Sequence, residues 1–198
     1  LRRKANRDKK VAIVYFAGIG KAEFTGAGLN IPRSLVRFLS GMRQAGYQVA
    51  SIPENEAVLL KTMIDKGRNI AEEESGEMER FLTAGEPTLV PVDEYTRWFD
   101  KLPASLRDAV TSAYGPPPGS FMVARRDGKD YLVIPGFRYG NVMLLPQPAR
   151  GAKMDAKLQH SDTVPPPHQY LAMYFWLQHG FGADAVVHYG THGTYEFL

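Results

Sequence analysis

The stretch KVAIVYFA, residues 10–17, decides the fold. Six successive residues from Val11 to Phe16 are apolar and rich in β-branched or aromatic side chains, with no polar residue alternating between them. A strand that is apolar on both faces belongs inside a parallel sheet covered on each side. The residues after it agree. The segment AGIGKAEFTGAGLN, residues 17–30, is glycine-rich and reads as a loop. Asn30 is placed to cap a helix that carries Pro32 in its first turn. Leu35, Phe38, Leu39 and Met42 recur at helical spacing, and Gly46 suits the left-handed position just past a helix end. Residues 47–52 read as a second strand. The result is a β-loop-α-β unit and an α/β class, with parallel-sheet layers and flanking helices.

Further along, residues 54–66 and 71–82 read as helices and 88–92 as a short strand. Residues 93–113 read as helix broken at Pro103, with Asp93 as N-cap. The texture changes at Tyr114, where YGPPPGS fits neither helix interior nor central strand. We therefore expect a Rossmann-like α/β domain over 1–113. A second segment over 114–198 is expected to contain a hairpin, a helix and a strand. The hairpin spans residues 121–134 with Asp127-Gly128 at its turn. IPGFRYGNVMLLPQP continues in extended form. The helix, residues 168–179, has the centre YLAMYFWL, apolar almost all round, so it is expected to be buried on most sides. The strand covers 183–188.

Hydrophobic content is 44% and charged content 23%, with no cysteine. A core can form without staples, and disulfides and thiolate metal sites are excluded. No apolar run reaches the length of a membrane span. Six of the first ten residues are Lys or Arg, and the net charge is +3. No aromatic-interleaved basic stripe comes after them, so a solvated arm is the expectation and nucleic acid is not an expected partner. A start without Met and an end inside a motif lead us to expect a piece of a longer chain.

Gly18, Gly20, Gly26 and Gly28 lie between strand and helix, where phosphates often meet backbone N–H groups. The dinucleotide fingerprint fails because Glu23 occupies its third glycine position. The Walker pattern fails because Gly20-Lys21 is followed by alanine. ATP is not an expected ligand of this chain.

All five histidines lie in the last 39 residues, and the closing segment HYGTHGTYEFL holds His188, His192 and Glu196. Imidazole and carboxylate suit divalent transition metals and proton transfer near neutral pH. Gly190 and Gly193 favour a loop off a strand end over a helix, which is where α/β proteins build sites. A loop of hydrogen-bonded, purely structural histidines is the bland alternative. A second group is Phe137, Arg138, Tyr139 and Asn141, where arginine could take a carboxylate bidentately. A β-bulge with a surface arginine is the alternative there.

HYGTHGTYEF, residues 188–197, resembles the signature of the large subunit of class I tetrapyrrole metal chelatases, the cobaltochelatase CobN and magnesium chelatase H family. VAIVYF, GLNIPRSL, YGPPPG, FRYGNV, LPQP, PPHQYLAMYFWL and HGFGADAVVH match it in order and spacing along most of the chain. LNIPRSL and LPQP look closer to the cobaltochelatase branch. The resemblance implies an internal segment of a much longer, multidomain cytoplasmic subunit. It implies ATP-dependent insertion of a divalent metal into a tetrapyrrole: Co2+ into a corrin precursor in cobalamin biosynthesis, or Mg2+ into protoporphyrin. AAA+ partner subunits would hydrolyse the ATP, and the segment alone is expected to be inactive. His188, His192 and Glu196 are then expected as catalytic and metal-handling residues. Arg138, Phe137, Tyr139 and Asn141 are then expected to contact the ring. Metal removal from haem by a related subunit, and a non-catalytic ring- or partner-binding module, are the rival readings.

Overall fold

A computed structural model describes residues 4–17, 24–26, 28–70, 76–150 and 163–190. Strand β1 (Val11–Tyr15) is buried along its whole length, and it lies at the centre of a four-stranded sheet. Its neighbours are β8 (Val142–Pro146) and β9 (Ala185–Tyr189), both parallel to it. β7 (Phe137–Tyr139) closes the far edge antiparallel to β8, giving the order β7-β8-β1-β9. Strands from 1–113 and from 114–198 therefore pair in one sheet.

The period-two geometry of a strand sends alternate β1 side chains to opposite faces. Val11, Ile13 and Tyr15 join one cluster with Leu35 and Leu39 of α1 (Ile31–Gln44) and Leu59 and Met63 of α2 (Glu56–Lys66). Ala12 and Val14 face α4 (Val92–Phe99), α5 (Ala104–Tyr114) and α6 (His168–Trp176). That face is also covered by a three-stranded antiparallel sheet of β4 (Thr88–Pro91), β6 (Lys129–Ile134) and β5 (Val123–Arg126). A further cluster on the outer side of this sheet includes Val133, Phe121 and Phe81, the last from α3 (Glu77–Ala84). Two short strands, β2 (Thr25–Gly26) and β3 (Leu29–Asn30), form a small ladder before α1. The class is α/β, as the apolar run at 10–17 implies. No helix among the described residues is long and apolar enough to cross a membrane.

Local chemistry explains the ends of α1. Asn30 accepts the Arg33 N–H at 3.0 Å, and Pro32 sits where its missing N–H costs nothing. At the other end Gly46 takes φ +84°. Its N–H donates to the Arg43 carbonyl at 3.0 Å, and Tyr47 N–H donates to Met42 at 3.0 Å. Those two bonds make a Schellman motif. In the β5–β6 hairpin Asp127 and Gly128 both have positive φ, +50° and +76°, as a type I′ turn requires. Pro103 separates α4 from α5.

Four expectations change. Residues 47–52 are not a strand: β7 and β8 already complete that side of the sheet, and the segment gives only one backbone bond to their turn, Asn141 N–H to Gln48 at 2.8 Å. Its apolar signature comes from Val49, which packs into the α1–α2 core. β1 takes its partners from distant sequence instead. Asp93 lies inside the first turn of α4, and Pro91 holds the N-cap position. α3 begins at Glu77, and residues 71–75 of the expected 71–82 helix lie outside the described residues. The basic arm, described from Lys4 on, is docked. Lys4 Nζ pairs with Asp184 at 2.6 Å, and Lys10 N–H donates to the same carboxylate at 2.7 Å. Those contacts hold the Asp184 carboxyl below its ordinary pKa.

His168 locks α6 to its surroundings. It is buried, its Nδ1 lies 2.7 Å from the Tyr95 hydroxyl, and its Nε2 lies 2.9 Å from the Gly115 carbonyl. A carbonyl only accepts, so Nε2 carries the proton and Nδ1 accepts from Tyr95. Burial lowers the His168 pKa, against a smaller opposing effect of the Gly115 bond. The folded pKa lies below the unfolded value of about 6.5, so the unfolded chain binds the extra proton first as pH falls. The contribution of His168 is complete above about pH 6.5 and is lost as pH drops below it. Urea midpoints should fall between pH 7.5 and pH 5.5, and fall less in His168→Gln. Equal falls in both would remove His168 as the cause.

Candidate functional site

The three parallel strands end together. The ladder runs one residue past β1 and β8: Phe16 N–H donates to the Tyr189 carbonyl at 3.0 Å, and Gln147 N–H to Tyr15 at 2.8 Å. Carboxyl ends of parallel strands are where α/β sheets bind ligands. His188 occupies this end of β9, in register with Val14. It therefore faces the α6 side of the sheet, and Tyr189 faces α1, where its ring meets Phe38 at 5.6 Å.

The His188 imidazole stacks on Tyr174 of α6, with centroids 5.9 Å apart and planes 25° apart. The Tyr174 hydroxyl lies 3.3 Å from His188 Nε2, and Gln147 Nε2 donates to that hydroxyl at 3.3 Å. Gln147 is buried, and its carbonyl accepts from Asn69 at 2.8 Å. Tyr15 donates its hydroxyl to the Gly67 carbonyl at 2.6 Å. Burial, and to a lesser extent Tyr139 nearby, push the Tyr15 pKa up, so its phenol stays protonated. Among the described residues, the buried Oδ1 of Asn69 and both polar side-chain atoms of buried Gln169 have no hydrogen-bond partner. A cleft of about 620 Å3 opens between α5 and α6, with Leu106, Ala109, Arg150, Tyr170, Tyr174 and Phe175 in its walls. Tyr174 thus borders both this cleft and His188.

Of the expected metal-handling group, His188 is placed here. His192 and Glu196 lie outside the described residues. Among the described residues no three His, Asp or Glu side chains converge as a metal cage. The second expected group lies elsewhere. Phe137 is buried in the α1–α2 core, and Tyr139 is half-buried beside it, 5.7 Å away. Arg138 is exposed, and its guanidinium lies over Phe181 at 5.4 Å. It donates to the Gly140 carbonyl and, at 3.4 Å, to Asn141. Asn141 in turn donates to the Arg7 carbonyl at 3.0 Å. Phe137, Arg138 and Tyr139 border a separate cleft of about 600 Å3 with Lys66 and Trp176. β7 and β9 are opposite edges of the sheet, three strand spacings or roughly 14 Å apart. Ala172 and Met173 of α6, and Leu177 just after it, pack on the face between them. The structure does not bring Arg138 to His188.

Tyr174 and Gln147 lie in the matched segments PPHQYLAMYFWL and LPQP, but nothing in those segments marks either as a site residue. Tyr174 sits in an apolar helix and reads as core, and Gln147 sits in a proline-flanked exit. The usable clue is general: a buried tyrosine needs a partner for its hydroxyl.

The family model described as CobN/Magnesium Chelatase matches residues 1–198. The aerobic cobaltochelatase subunit CobN of Pseudomonas aeruginosa is 35% identical over 202 residues, covering 100% of this chain and 15% of that protein. The magnesium-chelatase H subunit of Chlorobaculum parvum is 29% identical over 202 residues, again 100% of this chain and 15% of that one. The catalytic subunit of cobaltochelatase from Mycobacterium tuberculosis superposes with a TM-score of 0.79 at 38% identity, over 98% of this chain and 16% of that structure. The chain thus spans 15–16% of the length of these relatives.

Proposed function

The chain belongs to the CobN/magnesium chelatase family, and from that premise we propose that it is the tetrapyrrole-binding segment of an ATP-dependent metal chelatase large subunit. We propose cobalt and a corrin precursor as its substrates. The higher identity to the two cobaltochelatase subunits, 35% and 38% against 29–31% for magnesium-chelatase subunits, supports that choice. Magnesium and protoporphyrin are the alternative. ATP is hydrolysed by AAA+ partner subunits in this reading, and the assembly works in the cytoplasm.

The observation that carries the reading is the placement of His188 at the shared carboxyl end of β1, β8 and β9, where the segment HYGTHGTYEF begins. Metal insertion must take two protons from pyrrole nitrogens and strip water from the metal. A neutral imidazole or a carboxylate is a suitable proton acceptor near neutral pH. The same groups hold a divalent metal before transfer. His188, His192 and Glu196 are the residues we assign to this work. Arg138, with Phe137, Tyr139 and Asn141 beside it, keeps a secondary place: a side-chain carboxylate is the ligand it suits, and its position on β7 keeps it from the reacting centre.

The test is an absorption titration of metal-free corrin precursor and of protoporphyrin into the full-length subunit, with His188→Ala/His192→Ala as control. Tighter, histidine-dependent binding of the corrin supports cobalt insertion. Preference for the porphyrin moves the assignment to magnesium. No binding of either by folded protein overturns the reading.

A further inference from the structure

We infer that Tyr174, held by Gln147, is a positioning residue that sets the orientation of the His188 imidazole. The inference rests on the proposed function, in which His188 handles metal or protons.

Two constraints on one ring are visible. The stack on Tyr174, at 25° between planes, fixes the plane of the imidazole. The hydroxyl at 3.3 Å selects Nε2 as the nitrogen turned toward α6. With the plane and one nitrogen fixed, Nδ1 is the nitrogen left to face away from the helix. The hydroxyl is itself oriented. The amide nitrogen of Gln147 can only donate, so the phenol oxygen accepts from it, and the same hydroxyl can donate to Nε2 at 3.3 Å. Gln147 is in turn anchored through its main chain, N–H to Tyr15 at 2.8 Å and carbonyl to Asn69 at 2.8 Å. The orientation of His188 is thereby referred to the ends of β1 and β8, two buried strands.

A phenol suits this duty because it can reverse. With the phenol donating to Nε2, the neutral ring carries its hydrogen on Nδ1; in the other tautomer, the one that takes a metal or a proton at Nδ1, Nε2 carries the hydrogen and donates it to the tyrosine oxygen. Phenylalanine would keep the stack and the packing of α6 and lose this response. Partners of this kind, standing behind a metal-binding histidine, commonly change affinity or rate by about 10- to 100-fold.

The experiment uses the full-length subunit with its ATPase partners and compares Tyr174→Phe, Gln147→Glu, Gln147→Leu and His188→Ala. We expect Tyr174→Phe to lower kcat by about 10- to 100-fold, with KM for the ring and the melting temperature unchanged. Gln147→Glu should lower kcat in the same way, because a carboxylate draws the phenol proton away from His188. A purely structural role would move melting temperature and rate together. Should Tyr174→Phe fail to fold, Gln147→Leu, which leaves the aromatic stack intact, carries the test and should also lower kcat. Wild-type kcat in the folded variants beside an inactive His188→Ala overturns the inference. Wild-type kcat in His188→Ala overturns the reading on which it rests.

Discussion

Alanine at position 188 of the full-length subunit is expected to reduce metal insertion by about 100-fold or more and to leave the subunit folded. The size of the rate effect comes from what a positioned proton acceptor contributes, about 10²- to 10⁴-fold. The expectation for stability comes from what the side chain touches. His188 is half-buried at a strand end, and its ring meets Tyr174 through a stack and a hydrogen bond with the hydroxyl. Removing it leaves that hydroxyl still paired with Gln147. Losing the hydrogen bond to Tyr174 costs on the order of 1 kcal/mol. Backbone pairing of β9 with β1 does not depend on the side chain. Val186, exposed on the same strand, is the control: Val186→Ala should keep its rate. Steady-state insertion assays alongside thermal melts separate the outcomes. A His188→Ala subunit that inserts metal at the wild-type rate removes this residue from the chemistry.

What the sequence revealed was local. KVAIVYFA read as a doubly covered strand because both faces of a central parallel strand are apolar. The α1 ends were legible because Asn30 and Gly46 act on their own neighbours. The hairpin turn was legible because Asp127-Gly128 is short-range chemistry. The partners of β1 were not legible. Its neighbours start 131 and 174 residues later in register, Val142 and Ala185 opposite Val11, and nothing in an apolar strand says which other strand it meets. Residues 47–52 misled for the same reason: burial of Val49 against helices gives the same apolar signature as burial in a sheet. At the site, His188 stood out by type and spacing. Tyr174 did not, because a tyrosine in YLAMYFWL packs like any aromatic until its hydroxyl finds a partner in the fold. The sequence, through the family resemblance, offered Arg138 as a ring contact; that it stands on β7, at the opposite edge of the sheet from β9, follows from strand order that no local signal carries.

Truncating Ile13 tests the strand on which the site hangs. Ile13 is fully buried at the middle of β1, opposite Leu144 on one side and Val187 on the other. It packs in the cluster that includes Leu35 and Leu39 of α1 and Leu59 and Met63 of α2. Ile13→Ala removes buried methyl and methylene groups and leaves a cavity that a central strand, held in register on both sides, cannot collapse to fill. The expected loss is about 2–5 kcal/mol. In a chain of this size each kcal/mol moves the melting temperature by about 2–4 °C, so the shift is on the order of 10 °C. Ile13→Val, which removes one carbon, should cost about 1 kcal/mol. Val58→Ala, on the exposed side of α2, should stay within about 0.5 kcal/mol. Urea denaturation of the three variants checks the order. β9 is paired to β1 in the sheet, so His188 depends on β1 for its place. Ile13→Ala should then lower insertion activity in proportion to the unfolded fraction, recovering at temperatures where the variant is folded. His188→Ala should show no such recovery. An Ile13→Ala protein as stable as the parent would mean that β1 is not the core strand its burial describes.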